Sequence, residues 1–164
     1  MEKKHFYSLT VKWTGNKGDG TKDYRSYSRD HIITSEAKPD IPGSSDPVFR
    51  GDKTKYNPED LLIASLSACH LLSYLHVCVN AGVIVVDYSD NASGTMVETP
   101  DGGGHFSEVT LHPFVIVADE SMIEKANRLH EKASALCFIA NSCNFPVHHV
   151  PICKVAGLGV SSEQ

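Results

Sequence analysis

The chain has 164 residues, of which 41% are hydrophobic and 21% charged, enough for one domain to bury a core without disulfide staples. That balance excludes a disordered, collagen-like or coiled-coil chain. The formal charge of −5, with Lys and Arg scattered, excludes the broad cationic face that nucleic-acid binding requires.

No uninterrupted apolar run reaches the roughly 18 residues that span a bilayer. The start, Met1 to His5, is polar and carries no apolar leader segment. No membrane and no nucleic-acid partner is therefore expected, and the location expected is cytoplasmic. The five cysteines (Cys69, Cys78, Cys137, Cys143 and Cys153) are odd in number and form no C-x-x-C pair, which argues against a disulfide framework.

In chain order, residues 5–13 (HFYSLTVKW) and 24–34 (YRSYSRDHIIT) read as two strands of a hairpin around the glycine-rich stretch GNKGDG. That stretch lacks the Gly-Lys-Ser/Thr ending of a phosphate loop and no helix pattern follows it. Residues 38–56 form a long loop with three prolines. Asn57 is a helix N-cap, Pro58 suits the first helical position, and Glu59 and Asp60 suit the positive helix end. The helix runs through LLIASLSACHLLSYLHVCVN to Asn80 and Gly82. It is apolar almost all round, so burial on most faces is expected, with a second subunit helping to cover it. The small residues Ala64, Ser65, Ser67 and Ala68 allow close approach of another backbone. Residues 83–97 and 106–117 read as strands about the turn DGGG. Residues 119–136 read as an amphipathic helix capped by Asp119 or Ser121, its apolar stripe being Met122, Ala126, Leu129, Ala133 and Leu136. Residues 144–152 (NFPVHHVPI) read as a terminal strand interrupted by two prolines. The chain is read as one domain over 1–164: a hairpin and loop (about 1–56), a cysteine helix (57–81), then a second hairpin, helix and strand (82–164). The class is α+β, rich in antiparallel sheet.

Cys69 sits some twelve residues from the N-cap, beyond reach of the helix dipole. It is either a packed core thiol or a reactive one, and in the second case an external cation must stabilise its thiolate. Cys78 and Cys153 read as core thiols. Cys137, Cys143, His148 and His149 supply four nominal zinc ligands. Adjacent histidines on an extended chain point to opposite faces, so no metal is expected. Glu59 has a plain role as a first-turn acid. His70 and His76 read as satisfied core histidines. Arg25 and Arg29, four apart in a strand, would face the same side.

Asn57-Pro58-Glu59-Asp60-Leu61, followed by Ala68-Cys69 and, after an amphipathic helix, by Cys137, resembles the OsmC/Ohr family of organic hydroperoxide resistance proteins. The order of elements agrees along nearly the whole chain, and the likeness is closest to the OsmC-like branch. The resemblance implies antiparallel sheets wrapped around two central buried helices in an intertwined homodimer. It implies a thiol-dependent peroxidase that reduces small organic hydroperoxides, with Cys69 as the peroxidatic and Cys137 as the resolving cysteine. Glu59 would be the family's acid. The family's arginine falls on Arg29 first, then Arg50 or Arg25. No bound cofactor is implied, only an external dithiol electron donor such as a lipoyl protein. The chain departs from the family at His70, where phenylalanine is common, at Ser134, where a histidine often precedes the second cysteine, at Phe138, and in the extra Cys143.

Ten residues of helix separate Glu59 from Cys69, about 15 Å of rise, so Glu59 is expected to serve the cysteine of a second subunit. An apolar wall of Leu62, Leu66, Leu72, Phe138 and Ile139 is expected around Cys69 and would favour organic peroxides. Two rivals keep the same cysteines without turnover: a peroxide-sensing dimer, and a dimer binding a small apolar ligand.

Overall fold

The computed structural model describes residues 2–156. Internal contacts divide the chain into two compact units, Met1–Leu62 and Ile63–Gln164.

In the first unit, strands β1 (Thr10–Trp13), β2 (His31–Thr34) and β3 (Ile41–Gly43) form an antiparallel meander in the order β1-β2-β3. The hairpin strands are shorter than their β-forming composition predicts. Residues 24–30 form turns and irregular chain instead of strand, because side chains there bond to nearby backbone. Asp23 Oδ1 accepts from the amides of Arg25 (2.7 Å) and Ser26 (3.1 Å). Trp13 Nε1 donates to Ser28 O at 2.9 Å and ties the irregular arm back to β1.

Helix α1 spans Pro58–Ala81. Its start follows from Asn57, whose Oδ1 accepts the Asp60 amide at 2.7 Å while Asp60 Oδ2 accepts the Asn57 amide at 3.3 Å, a reciprocal cap. Its end follows from Gly82 in the left-handed region (φ 71°). There Val83 N–H reaches Cys78 O (2.9 Å) and Gly82 N–H reaches Val79 O (3.1 Å), a paired C-terminal closure that a side chain at φ > 0 would strain.

Within the single chain α1 is covered on one side only. One face is buried, through Leu66, His70, Tyr74, Val77 and Cys78. The stripe of Ala64, Ala68, Leu72, Leu75 and Val79 is exposed within the chain. By length and composition α1 is also apolar enough to cross a bilayer, with a mean hydropathy of 1.7 over 18 residues, because weakly polar Ser and His interrupt its apolar runs without adding charge. Its inner face is nevertheless committed to protein: Tyr74 Oη donates to Ala126 O at 3.1 Å and Ser67 Oγ to Asp90 Oδ2 at 2.6 Å.

The rest of the second unit holds six strands and helix α2 (Ile123–Leu136). The strands are β4 (Val85–Asp90), β5 (Ser93–Glu98), β6 (Gly104–Leu111), β7 (Pro113–Val117), β8 (Val147–His149) and β9 (Ile152–Val155). They make two three-stranded sheets, β4-β7-β9 and β5-β6-β8. The two strands expected over 83–97 and 106–117 are thus each broken in two, and the terminal strand divides at Pro151, one of its two prolines. Pro113 and Pro151 lack the N–H that a continuous ladder needs. At the same level Asp90 Oδ1 takes the His112 amide at 2.7 Å. The β4/β7 and β5/β6 pairs are antiparallel, whereas β8 and β9 join β6 and β7 in parallel after the α2 crossover.

Helix α2 follows a short 3-10 turn, Glu120–Met122, capped by Asp119, whose Oδ1 accepts the Ser121 amide at 2.9 Å. It buries Ala126, His130 and Ala133, while Leu136 is exposed, so His130 takes a core position that the apolar stripe had assigned to leucines. The core of the unit is Tyr74, Val77, Cys78, Val83, Val115, Val117, Ala126 and Ala133.

Candidate active site

Cys69 lies mid-α1 and is half-buried. Cys137 is the residue on which α2 ends: its N–H still reaches Ser134 O (3.1 Å) but its backbone is extended. The chain then turns through a 3-10 element, Ala140–Ser142, whose entry is fixed by Asn141 N–H on Cys137 O (3.0 Å) and Ala140 N–H on Cys137 Sγ (3.4 Å). This folds Cys137 inward to 1% exposure and sets its thiol beside that of Cys69, 68 residues away in sequence. Burial first, and then the Cys69 contact, push the Cys137 thiol up to about 11. Cys137 thus holds its proton near neutral pH. Both are free thiols.

Cys143 is half-buried and its Sγ donates to Ile139 O at 3.4 Å. The C=O of Ile139 and the N–H of Ala140 belong to one trans peptide and point opposite ways. The sulfurs of Cys143 and Cys137 therefore sit on opposite sides of that peptide. Burial raises the Cys143 thiol as well.

The expected apolar wall is only partly built within the chain. Leu66 is fully buried and Leu62 half-buried, but Leu72 is 67% and Phe138 82% exposed, with Ile139 at the edge. Helical geometry explains Leu72: it lies two residues from both His70 and Tyr74, which are buried, and so falls on the opposite face. Phe138 is the first residue past Cys137, and the turn that sends Cys137 inward sends it outward.

In the first unit, the strand face expected to carry Arg25 and Arg29 does not form. Arg29 is instead pinned by the backbone: its Nη1 donates to Tyr24 O (3.0 Å) and Tyr27 O (3.1 Å), and its guanidinium lies 4.3 Å from the Tyr27 ring centre. Arg50, in a left-handed conformation at φ 66°, lies 5.0 Å from the Tyr24 ring. Arg29 and Arg50 thus share one aromatic support, with Tyr24 between them. Glu59 is half-buried in the first turn of α1.

A second cluster surrounds the helix beside Cys69. His70 Nε2 and His130 Nδ1 lie 3.0 Å apart, and the His130 ring stacks on Tyr74 at 3.9 Å. His149 of β8 stacks on His70 at 5.6 Å, while His148 is exposed, the opposed facing of an extended pair. Burial pushes His70 down to about 4 and His130 to about 3, and nearby histidines add to both shifts. His130 Nε2 and Tyr88 Oη are buried without a hydrogen-bond partner. The sequence reading identifies His70 as a core histidine but misses His130, whose spacing from Ala126 and Ala133 was the available signal. Among the described residues, no three His, Cys, Asp or Glu side chains are grouped to hold a metal.

The family model for OsmC-like proteins matches residues 51–150, more than half of the chain. No curated protein matches the chain. An OsmC-like protein of unknown function from Vibrio cholerae is similar in structure, with a TM-score of 0.81 and 27% identity over 91% of this chain and 100% of that one. Organic hydroperoxide resistance proteins from Elizabethkingia anophelis and Legionella pneumophila share the fold, each with a TM-score of 0.66 and 21% identity. They cover 94% and 93% of this chain respectively, and each is matched over 100% of its own length.

Proposed function

Because the chain belongs to the OsmC-like family, we propose that it is a thiol-dependent peroxidase that reduces small organic hydroperoxides, with Cys69 attacking and Cys137 resolving. The observation that carries this reading is the contact between the two thiols across 68 residues of sequence. The Cys69 thiolate attacks one oxygen of the O–O bond; the other leaves as alkoxide and takes a proton to become the alcohol. Cys69 is then a sulfenic acid. The Cys137 sulfur attacks that sulfur, the S–O bond breaks, and the departing hydroxide takes the Cys137 proton as water. An external dithiol, such as a lipoyl group, reduces the disulfide by exchange. The proton held on Cys137 suits this order, since it is released only when the sulfenic acid has formed.

Arg29 is the guanidinium we assign to the thiolate and the departing alkoxide, since two carbonyls and Tyr27 already hold it rigid. Glu59 is assigned to orient the guanidinium in a second copy of the chain. The exposed stripe of α1 supports a homodimer, its small Ala64 and Ala68 permitting close helix approach. Such a dimer would cover Leu72 and bring the outward Phe138 toward an apolar binding surface with Leu62, while Leu66, expected in that wall, lies fully buried behind it. Leu72→Glu would place a charge in that stripe. Sedimentation should show wild-type dimer and variant monomer, and a monomeric wild type would remove Glu59 from the scheme. We assign the cytoplasm as the working compartment, where dithiol donors keep these thiols reduced.

The deciding experiment is a titration with one equivalent of cumene hydroperoxide, followed by mass analysis. The expected product is one Cys69–Cys137 disulfide per chain together with stoichiometric cumyl alcohol. Peroxide left unconsumed, or oxidation at Cys143 alone, would overturn the assignment.

A further inference from the structure

We infer that the buried His70–His130 hydrogen bond is a positioning clamp that sets Cys137 against Cys69 for disulfide closure. The inference rests on the reading of Cys69 and Cys137 as attacking and resolving thiols. His70 follows Cys69 directly on α1. His130 lies two turns before Cys137 on α2. Their 3.0 Å bond therefore links the two helices that carry the thiols, beside one thiol and close to the other. A second tie runs parallel to it, from Tyr74 Oη to Ala126 O at 3.1 Å, one turn further along each helix. Two ties, 70 to 130 and 74 to 126, fix the helices antiparallel and prevent sliding along their axes.

The clamp is dry. His70 is 2% and His130 1% exposed, so no bulk water replaces the bond if it opens. His130 Nε2 is buried without a partner, so the described hydrogen bonding of that ring is the bond to His70 alone. Apolar residues would fill this space without an orphaned nitrogen. The arrangement gains a direction that apolar packing lacks: it fixes the angle of α2, and hence where the turn after Leu136 delivers Cys137. Disulfide closure needs the Cys137 sulfur in line with the breaking S–O bond of Cys69, and small displacements there are costly. Attack on peroxide by Cys69 needs no such register with α2. His70 and His130 are accordingly positioning residues for the second step only.

The test separates the two steps. Three proteins are compared: wild type, the double variant His70→Phe with His130→Leu, and His130→Asn. The double variant removes both polar partners together, so no buried group is newly stranded. In His130→Asn an amide atom replaces Nδ1 and can keep the bond. Each protein receives one equivalent of cumene hydroperoxide. Sulfenic acid is counted with a dimedone probe, disulfide by mass analysis, and melting temperature is recorded. Sulfenic acid should form at the wild-type rate in all three. Closure should slow roughly tenfold or more in the double variant and largely recover in His130→Asn. Closure driven by diamide, which needs no peroxide, should slow in parallel. Closure at the wild-type rate in a folded double variant would overturn the clamp, as would an equal fall of both steps. Failure of the wild type to form any sulfenic acid would instead sink the peroxidase reading, and diamide closure would then decide the clamp by itself.

Discussion

Helix α1 carries two thiols nine residues apart, and their surroundings differ. Cys69 is half-buried and lies beside the thiol of Cys137. Cys78 is 1% exposed among Tyr74, Val77, Val83, Val115 and Val117, with Cys153 of β9 packed at the margin. Burial raises Cys78, Cys137, Cys143 and Cys153 alike, so a raised thiol does not mark a functional one. What separates the two places is access and partner. Cys69 is in part accessible and has a second thiol beside it. At Cys78 the polar neighbour is a tyrosine hydroxyl, and apolar packing closes the rest.

The largest effect expected from this comparison is at Cys69. Cys69→Ser should lower peroxide turnover with a dithiol reductant to the rate seen without protein, because an alcohol is not ionised at neutral pH. Cys137→Ser comes next. It should consume one equivalent of peroxide to form sulfenic acid at Cys69 without catalytic turnover, and under excess peroxide a second equivalent should carry that sulfur to sulfinic acid, read by mass analysis. Resolution by Cys143 would require the Ile139–Ala140 peptide to move from between the sulfurs, so full turnover in Cys137→Ser would show that the turn opens. Cys78→Ser should act on stability instead. A hydroxyl placed in that core costs roughly 1–3 kcal/mol, a drop of several degrees in Tm, while turnover per folded molecule is kept. Loss of turnover in Cys78→Ser without a fall in Tm would erase the distinction between the two places.

Much of this was readable in the residues themselves. Asn57, Pro58 and Gly82 mark α1 to within a residue, because caps are local chemistry. The paired thiols entered through a family pattern, since no local rule joins positions 69 and 137. The prolines of the terminal segment announce the break between β8 and β9, whereas the breaks between β4 and β5 and between β6 and β7 turn on Asp90 meeting His112, a contact that only the assembled sheet creates. His130 was missed for a related reason. Histidine at a helical core spacing reads as a polar interruption until His70, 60 residues earlier, supplies its partner. The arm of Arg29 reads as strand because its tyrosines favour strands. Asp23, and the carbonyls of Tyr24 and Tyr27, won the competition by bonding locally.

The last effect expected is a dependence of stability on pH, and it comes from the same pair of helices. His70 and His130 are depressed by burial to about 4 and about 3, against about 6.5 in an unfolded chain. Between those limits the unfolded chain binds protons that the folded chain refuses, so stability rises with pH across the window. It is therefore lost progressively as pH falls below about 6.5 toward 4, and is indifferent to these groups above that range. The groups facing the pair set the slope: His149 of β8 opposes protonation of both histidines, and Asp90 of β4 favours it at His70. Tyr74 stacks on His130 and stays neutral throughout, since burial raises it. Urea titrations at pH 7, 6, 5 and 4.5 should show a falling midpoint in wild type. The fall should be shallower in the His70→Phe, His130→Leu double variant, which has no such protons to refuse. Equal slopes in the two proteins would mean that acid sensitivity arises from the exposed carboxylates, and that the buried histidines are silent in folding.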